Sequence, residues 1–168
     1  MTTVGKPNLI EYRTRLLQIL PTIGITLPTG WSTTHVNVFT APGMGQAAYP
    51  FWIIERPSII SVVEAQRIRR WRISWLLFLA RDDDNNTEKA EALADTIDDD
   101  VVDVMEYFES RSDLVSTTLT TNMAGYLPGS VALTVNGDGQ YRVQTGWLFG
   151  SAYTLALTHR ISYDTAYR

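Results

Sequence analysis

Apolar positions along this chain change period from one stretch to the next, and each period names an element. Asn8 followed by Glu11 reads as a capping box. Leu9, Ile10, Tyr12, Leu16, Leu17, Ile19 and Leu20 then lay a broad apolar face along the helix it opens, which Pro21 is expected to end. Residues 22–34 read as a loop with a short extended piece. Val36 and Val38 alternate as in a strand over His35–Thr40, and a loop rich in Gly and Pro follows from Ala41 to Pro50.

From Phe51 the period becomes two. Phe51–Arg56 is a strand stopped by Pro57, and Ile59–Glu64 is another that runs into the long segment Arg67–Ala80. In that segment Trp71, Ile73, Trp75, Leu77 and Leu79 share one parity and form the natural core face. Ile68, Arg70, Arg72, Ser74, Leu76 and Phe78 share the other. Such a strand would reach roughly 46 Å, well beyond the usual length, so it must bend at a bulge or project past the body, with the Arg end as the projection.

Asn85 with Glu88 is a second capping box, and Ala90, Leu93, Ala94, Ile97, Val101, Val104, Met105 and Phe108 step by three and four. This spacing predicts a helix over Asn86–Phe108 that packs Leu93, Ile97, Val101, Val104 and Met105 on Trp71, Ile73 and Trp75. Beyond Asp113, strands are expected around Val115–Thr121, Val131–Val135, Gln140–Leu148 and Ala152–Tyr163, with Asn136-Gly137-Asp138-Gly139 as a hairpin turn. The order contains no regular βαβ alternation. It therefore predicts an α+β fold: a mainly antiparallel sheet with an N-terminal helix and one long amphipathic helix packed on one face, the doubly wound class being the alternative. With no internal repeat or low-complexity linker, residues 1–168 are expected to form a single domain.

Composition narrows the chemistry. Hydrophobic residues make up 45% of the 168 and charged residues 19%, which suits a compact globule. Cys 0 excludes disulfides, thiol nucleophiles and thiolate metal sites. The N-terminal stretch lacks the basic start and apolar run of a signal peptide, and the uncharged run Leu114–Gly137 is broken by Gly and Pro, so neither export by that route nor a membrane helix is expected. The net charge of −4 argues against nonspecific coating of nucleic acid. That average hides a segregation. Residues 82–113 hold thirteen of the eighteen acids against Lys89 and Arg111, whereas residues 65–81 carry Arg67, Arg69, Arg70, Arg72 and Arg81 and no acid. Separation of this kind suits a protein that meets copies of itself or a charged partner.

No motif for catalysis stands out. His35 and His159 have neither metal-ligand spacing nor an adjacent nucleophile motif, and His159 on an otherwise apolar strand face reads as a hydrogen-bonded, half-buried residue. Thr29-Gly30-Trp31-Ser32 lacks the glycines of a nucleophile elbow, and no phosphate-binding or dinucleotide fingerprint occurs. Asp82-Asp83-Asp84-Asn85-Asn86-Thr87 departs from the calcium-loop template at its sixth and twelfth positions, so a solvated turn is expected there. Asp98-Asp99-Asp100 reads as a solvated or partner-facing helix surface off the apolar face. No cofactor or metal is expected. For Arg67, Arg69, Arg70 and Arg72 around Trp71, three readings stay open: an exposed strand end whose Arg stems cover apolar surface, a protein contact, or phosphate binding with stacking. The protein contact pairs them with Asp95, Asp99 or Asp103 of a neighbouring copy or partner.

A capped first helix ending Leu20-Pro21, the Pro-bounded strand Tyr49-Pro50-Phe51-Trp52-Ile53-Ile54-Glu55-Arg56-Pro57, a long strand, one amphipathic helix and a closing hairpin from Gly146 to Tyr163 together resemble the tail terminator proteins of tailed phages, also called tail completion or head-to-tail joining proteins. The resemblance spans most of the chain through element order and loose pattern. It implies a non-enzymatic virion subunit, assembled in the host cytoplasm, that forms a homohexameric ring. Such a ring caps the tail tube protein, meets the neck or head-completion protein and lets nucleic acid pass only through its lumen. The Ala41–Pro50 loop and the Arg-rich strand are not part of the shared pattern, so no contact residue is carried over. A neck adaptor or tail tube subunit, or an enzyme of another family, are the alternatives.

Overall fold

The computed structural model describes residue 7 and residues 9–40, 48–65, 68–83, 87–110, 130–143 and 146–162. It is an α+β fold. Helix α1 (Leu9–Ile19) passes into a 3-10 turn, Leu20–Thr22, so Pro21 sits one residue inside a tightened turn instead of at a clean stop. A second 3-10 turn, Thr33–His35, leads to β1 (Val38–Thr40), which is shorter than the alternation suggested. Next come β2 (Phe51–Ile54), β3 (Ser58–Ala65), β4 (Ile68–Asp82), α2 (Thr87–Ser110), β5 (Ala132–Val143) and β6 (Gly146–Ser162).

The strands form one sheet in the order β1-β2-β4-β6-β5. β1 and β2 are parallel and every other pairing is antiparallel. β4 is the spine. At a strand rise its fifteen residues span about 50 Å. β6 pairs along the whole of one edge, while β2 takes Leu77–Ala80 and β3 takes Ile68–Ser74 on the other. A bulge interrupts the β4–β6 ladder between Ala80 and Asp82, and another interrupts β3 between Val63 and Ala65.

The parities of β4 sort the two faces as expected from Ile73 onward, while Trp71, expected on the core face, is half-buried and lies outside the core cluster. Ile73, Trp75, Leu77 and Leu79 are buried in a core with Trp52 and Ile54 of β2, Tyr153, Leu155 and Leu157 of β6, Tyr12, Leu16 and Ile19 of α1, and Val104 and Phe108 of α2. Ile97 is also buried and Val101 packs at the margin of this core, but Met105 is exposed and Leu93 is half-buried outside the core cluster, both contrary to the expectation from periodicity. On the other face, near β2, Phe51, Ile53, Phe78, Ala80 and Leu148 form a second, smaller buried cluster.

Asn136-Gly137-Asp138-Gly139 does not turn the chain. β5 runs through it, paired with β6 from Ala132 to Val143, with a bulge between Val135 and Gly137. Residues that tolerate unusual backbone angles suit a bulge as well as a turn, and pairing with β6 selects the bulge. Reversal comes later, between Val143 and Gly146, where Gly146 has φ 146. The caps at Asn8 and Asn85, the strand at Val115–Thr121, Arg67, Tyr163 and most of the Ala41–Pro50 loop lie outside the described residues. No helix among the described residues is long and apolar enough to cross a membrane.

Candidate subunit interface

β3 covers one edge of the first part of β4 and the end of β6 covers the other, so this end of the sheet is a three-stranded ribbon with β3 at its edge; Pro57 ends the preceding segment and Ala65 pairs back onto Ile68. All eight residues of β3 are exposed. Its large aliphatics lie on both faces: Ile59 is 42% exposed, Ile60 57%, Val62 57% and Val63 63%. Four such side chains in a row are unusual for an isolated surface.

The arginines divide by parity. Arg69 lies over the Trp71 ring, 5.7 Å from its centroid, on the side of the sheet that carries the main core. Arg70 and Arg72 are exposed on the other side. There Val62, Arg70 and Arg160 form one cross-strand row, and Ile60, Arg72 and Thr158 the next. Glu64 bridges the row: its carboxylate accepts from Arg160 Nε at 2.8 Å and from Arg70 Nη2. The Arg160 hydrogen bond, aided by the charges of both arginines, holds the Glu64 carboxyl below its ordinary value. Among the described residues Arg72 has no carboxylate partner.

The acids expected to face these arginines are on α2. Asp95 and Asp99 are exposed, whereas Asp103 is half-buried beside an open groove of about 510 Å³ lined by Gly24, Glu106, Tyr107 and Glu109. Burial, followed by the charges of Asp99 and Glu106, raises the Asp103 carboxyl, with Arg81 opposing. Among the described residues no ion pair joins Asp95, Asp99 or Asp103 to Arg69, Arg70 or Arg72, so one chain does not bring the two groups together.

Asp100 corrects the reading of the acidic helix as wholly solvated. It is fully buried, and its carboxylate accepts from Arg81 Nε at 2.7 Å and from Arg81 Nη2, while Arg81 Nη1 donates to the Thr26 carbonyl at 2.8 Å. Burial pushes the Asp100 carboxyl up, and the Arg81 contacts pull against it. This clamp fastens α2 to the end of β4 and to the segment after α1. Its signal is in the spacing: position 100 falls three after Ile97 and four before Val104, both buried. Glu64 has no comparable signal, because a strand Ile59–Glu64 continuing toward Arg67 conceals the hairpin register that sets Glu64 beside Arg70.

His159 is fully buried, its Nδ1 2.7 Å from the Tyr12 hydroxyl, and its Nε2 has no hydrogen-bond partner. Neither the groove at Asp103 nor a smaller one of about 270 Å³ beside Arg81, Tyr49 and Thr96 contains a histidine. Among the described residues no group of three or more metal-ligating side chains gathers around a point.

No family model matches the chain, and no curated protein does. The chemistry of the surface therefore carries the functional reading. What the arrangement offers is an exposed aliphatic ribbon edged by guanidinium groups, of which Arg70 and Arg160 are held by Glu64.

Proposed function

We propose that the chain is a structural subunit of the tail-terminator type, which assembles as a closed homo-oligomeric ring of six copies, caps the tail tube of a tailed phage and joins it to the neck. The observation that carries this reading is β3, exposed over its full length with Ile59, Ile60, Val62 and Val63 uncovered in the single chain. Exposed edge strands with large apolar residues are aggregation hazards unless another surface covers them. Charged ends on Glu64, Arg70, Arg72 and Arg160 add orientation to that cover.

In this reading α2 is the amphipathic helix, packed by one side on the sheet and presenting Asp95, Asp99, Glu106 and Glu109 outward. Each copy then has two unlike surfaces, and repeated head-to-tail contacts close into a ring when the rotation per contact divides the circle. Tail tube and neck proteins are the partners, the site is the virion tail, and no catalytic step or cofactor enters.

Negative-stain imaging with native mass spectrometry of the purified protein tests the proposal. Closed rings of one size are expected. Open tubes would move the reading to a tail tube subunit, and a monomer at every concentration, with or without tail tubes, would defeat it.

A further inference from the structure

The outward side of α2 has the chemistry that the arginine-bearing side of the sheet lacks. Asp95, Asp99, Val102, Glu106 and Glu109 recur at spacings of three and four and are all exposed, with Met105 at the margin of the same stripe. Val102 is 53% exposed and lies at the centre. None of these acids has a cationic partner among the described residues. The stripe is therefore an aliphatic centre ringed by carboxylates. On the opposite side of the molecule, Ile60 and Val62 form an aliphatic centre edged by Arg70, Arg72 and Arg160.

The dimensions agree as well as the charges. Three adjacent strands present a strip about 10 Å across, close to the diameter of one helix with its side chains. Ile60 and Val62, two apart on a strand, are separated by roughly 7 Å, near the rise of one helical turn.

We infer that the Ile60, Val62, Arg70, Arg72 and Arg160 patch of one copy seats the Val102 stripe of α2 from a second copy. This contact rests on the ring reading above and names the two surfaces that build it. It is head-to-tail, because the sheet patch and the helix stripe belong to opposite sides of the chain. Arg72 is the guanidinium left unpaired for the incoming carboxylates, and Arg70 and Arg160, held in place by Glu64, keep further N–H donors to offer. Asp103, half-buried beside its groove, is replaced in this pairing by Glu106 and Glu109.

The absence of cysteine makes the test clean. Val62→Cys and Val102→Cys variants, each in a separate chain, are mixed and treated with a short bis-maleimide. A covalent dimer is expected in the mixture and not in either variant alone, and a chain carrying both substitutions should give a ladder that stops at the ring number. Arg72→Glu should lower the mixed yield at least tenfold, with partial recovery when Glu106→Arg is added, and the melting temperature of each variant should match the parent. Rings without a mixed cross-link, or a covalent homodimer of the Val62→Cys variant by itself, would overturn this contact and leave the ring standing. A protein that forms no oligomer of any kind would overturn the ring reading and the contact with it. Loss of DNA binding in Arg72→Glu with assembly unaltered would give the patch to phosphate and overturn the inference.

Discussion

Burial holds the His159 imidazole neutral, pushing its pKa down to about 4 from the ordinary 6.5. The sign of the consequence follows from linkage. Above pH 6.5 the imidazole is neutral folded and unfolded, and stability is complete; as pH falls from 6.5 toward 4 the unfolded chain binds a proton that the folded one refuses. Roughly 3 kcal/mol of the stability that depends on His159 should be lost across that window, and this group contributes no further loss below it. Urea unfolding at pH 7 and at steps down to pH 4 reads the loss, and an imidazole that titrates near 6.5 by NMR in the folded protein would contradict it. Backbone crowding gives a second residue-level prediction. A Cβ on Gly150 would lie 1.8 Å from the Leu79 carbonyl oxygen, in a ladder of paired strands that cannot yield. Gly150→Ala should cost on the order of 3 kcal/mol or more, whereas Gly139→Ala, whose added Cβ meets nothing within 4 Å, should leave the urea midpoint within experimental error.

At the scale of elements, the Arg81–Asp100 pair decides how α2 is held. Asp100→Ala leaves the Arg81 guanidinium buried without its carboxylate, and a loss of roughly 3–5 kcal/mol is expected. The double variant Arg81→Met with Asp100→Leu should recover most of that, since no buried charge remains. Equal losses in single and double variants would mean that the pair contributes through attraction and not by avoiding an orphan charge. The clamp also marks where the chain is legible in advance. Parity alone sorts β4, because Ile73, Trp75, Leu77 and Leu79 are large, apolar and alternate without interruption. Parity does not reveal the second cluster at Phe51, Ile53 and Phe78, since burial there is on both faces of the same strands. Met105 fits the helical spacing of the core yet stays exposed, because the buried side of α2 is narrower than its apolar content and centres on Ile97, Val104 and Phe108. Asp100 obeys that same spacing, while its residue type points the other way, to solvent. At Asn136-Gly137-Asp138-Gly139 the conflict is reversed: local chemistry favours a turn, and long-range pairing with β6 decides against it. At the candidate interface, Arg70 and Arg72 are legible as residues of an exposed ribbon, but their relation to Glu64 and Arg160 depends on a hairpin register that residue spacing alone does not supply.

For the molecule as a whole, the proposed assembly would draw on charge and on apolar burial, which respond to salt in opposite senses. Thirteen acids within residues 82–113 and a basic ribbon make the chain strongly asymmetric in charge, so approach of the ribbon to the acidic helix is attractive and approach of either to its own kind is repulsive. Single exposed pairs contribute at most about 1 kcal/mol each, so several must act together, and screening should weaken them together. The exposed aliphatics Ile60, Val62 and Val102 respond in the opposite sense, since excluded salts strengthen apolar burial. If the charges govern association, raising sodium chloride from about 0.05 to about 0.5 M, which shortens the screening length to a few ångströms, should reduce the association constant about tenfold or more. Sodium sulfate at matched ionic strength should restore part of that loss by favouring the aliphatic contact. Sedimentation velocity across both series measures the two effects on one sample. Association that is indifferent to chloride would assign assembly to the aliphatic ribbon alone, and Arg72→Glu should then leave the rings intact.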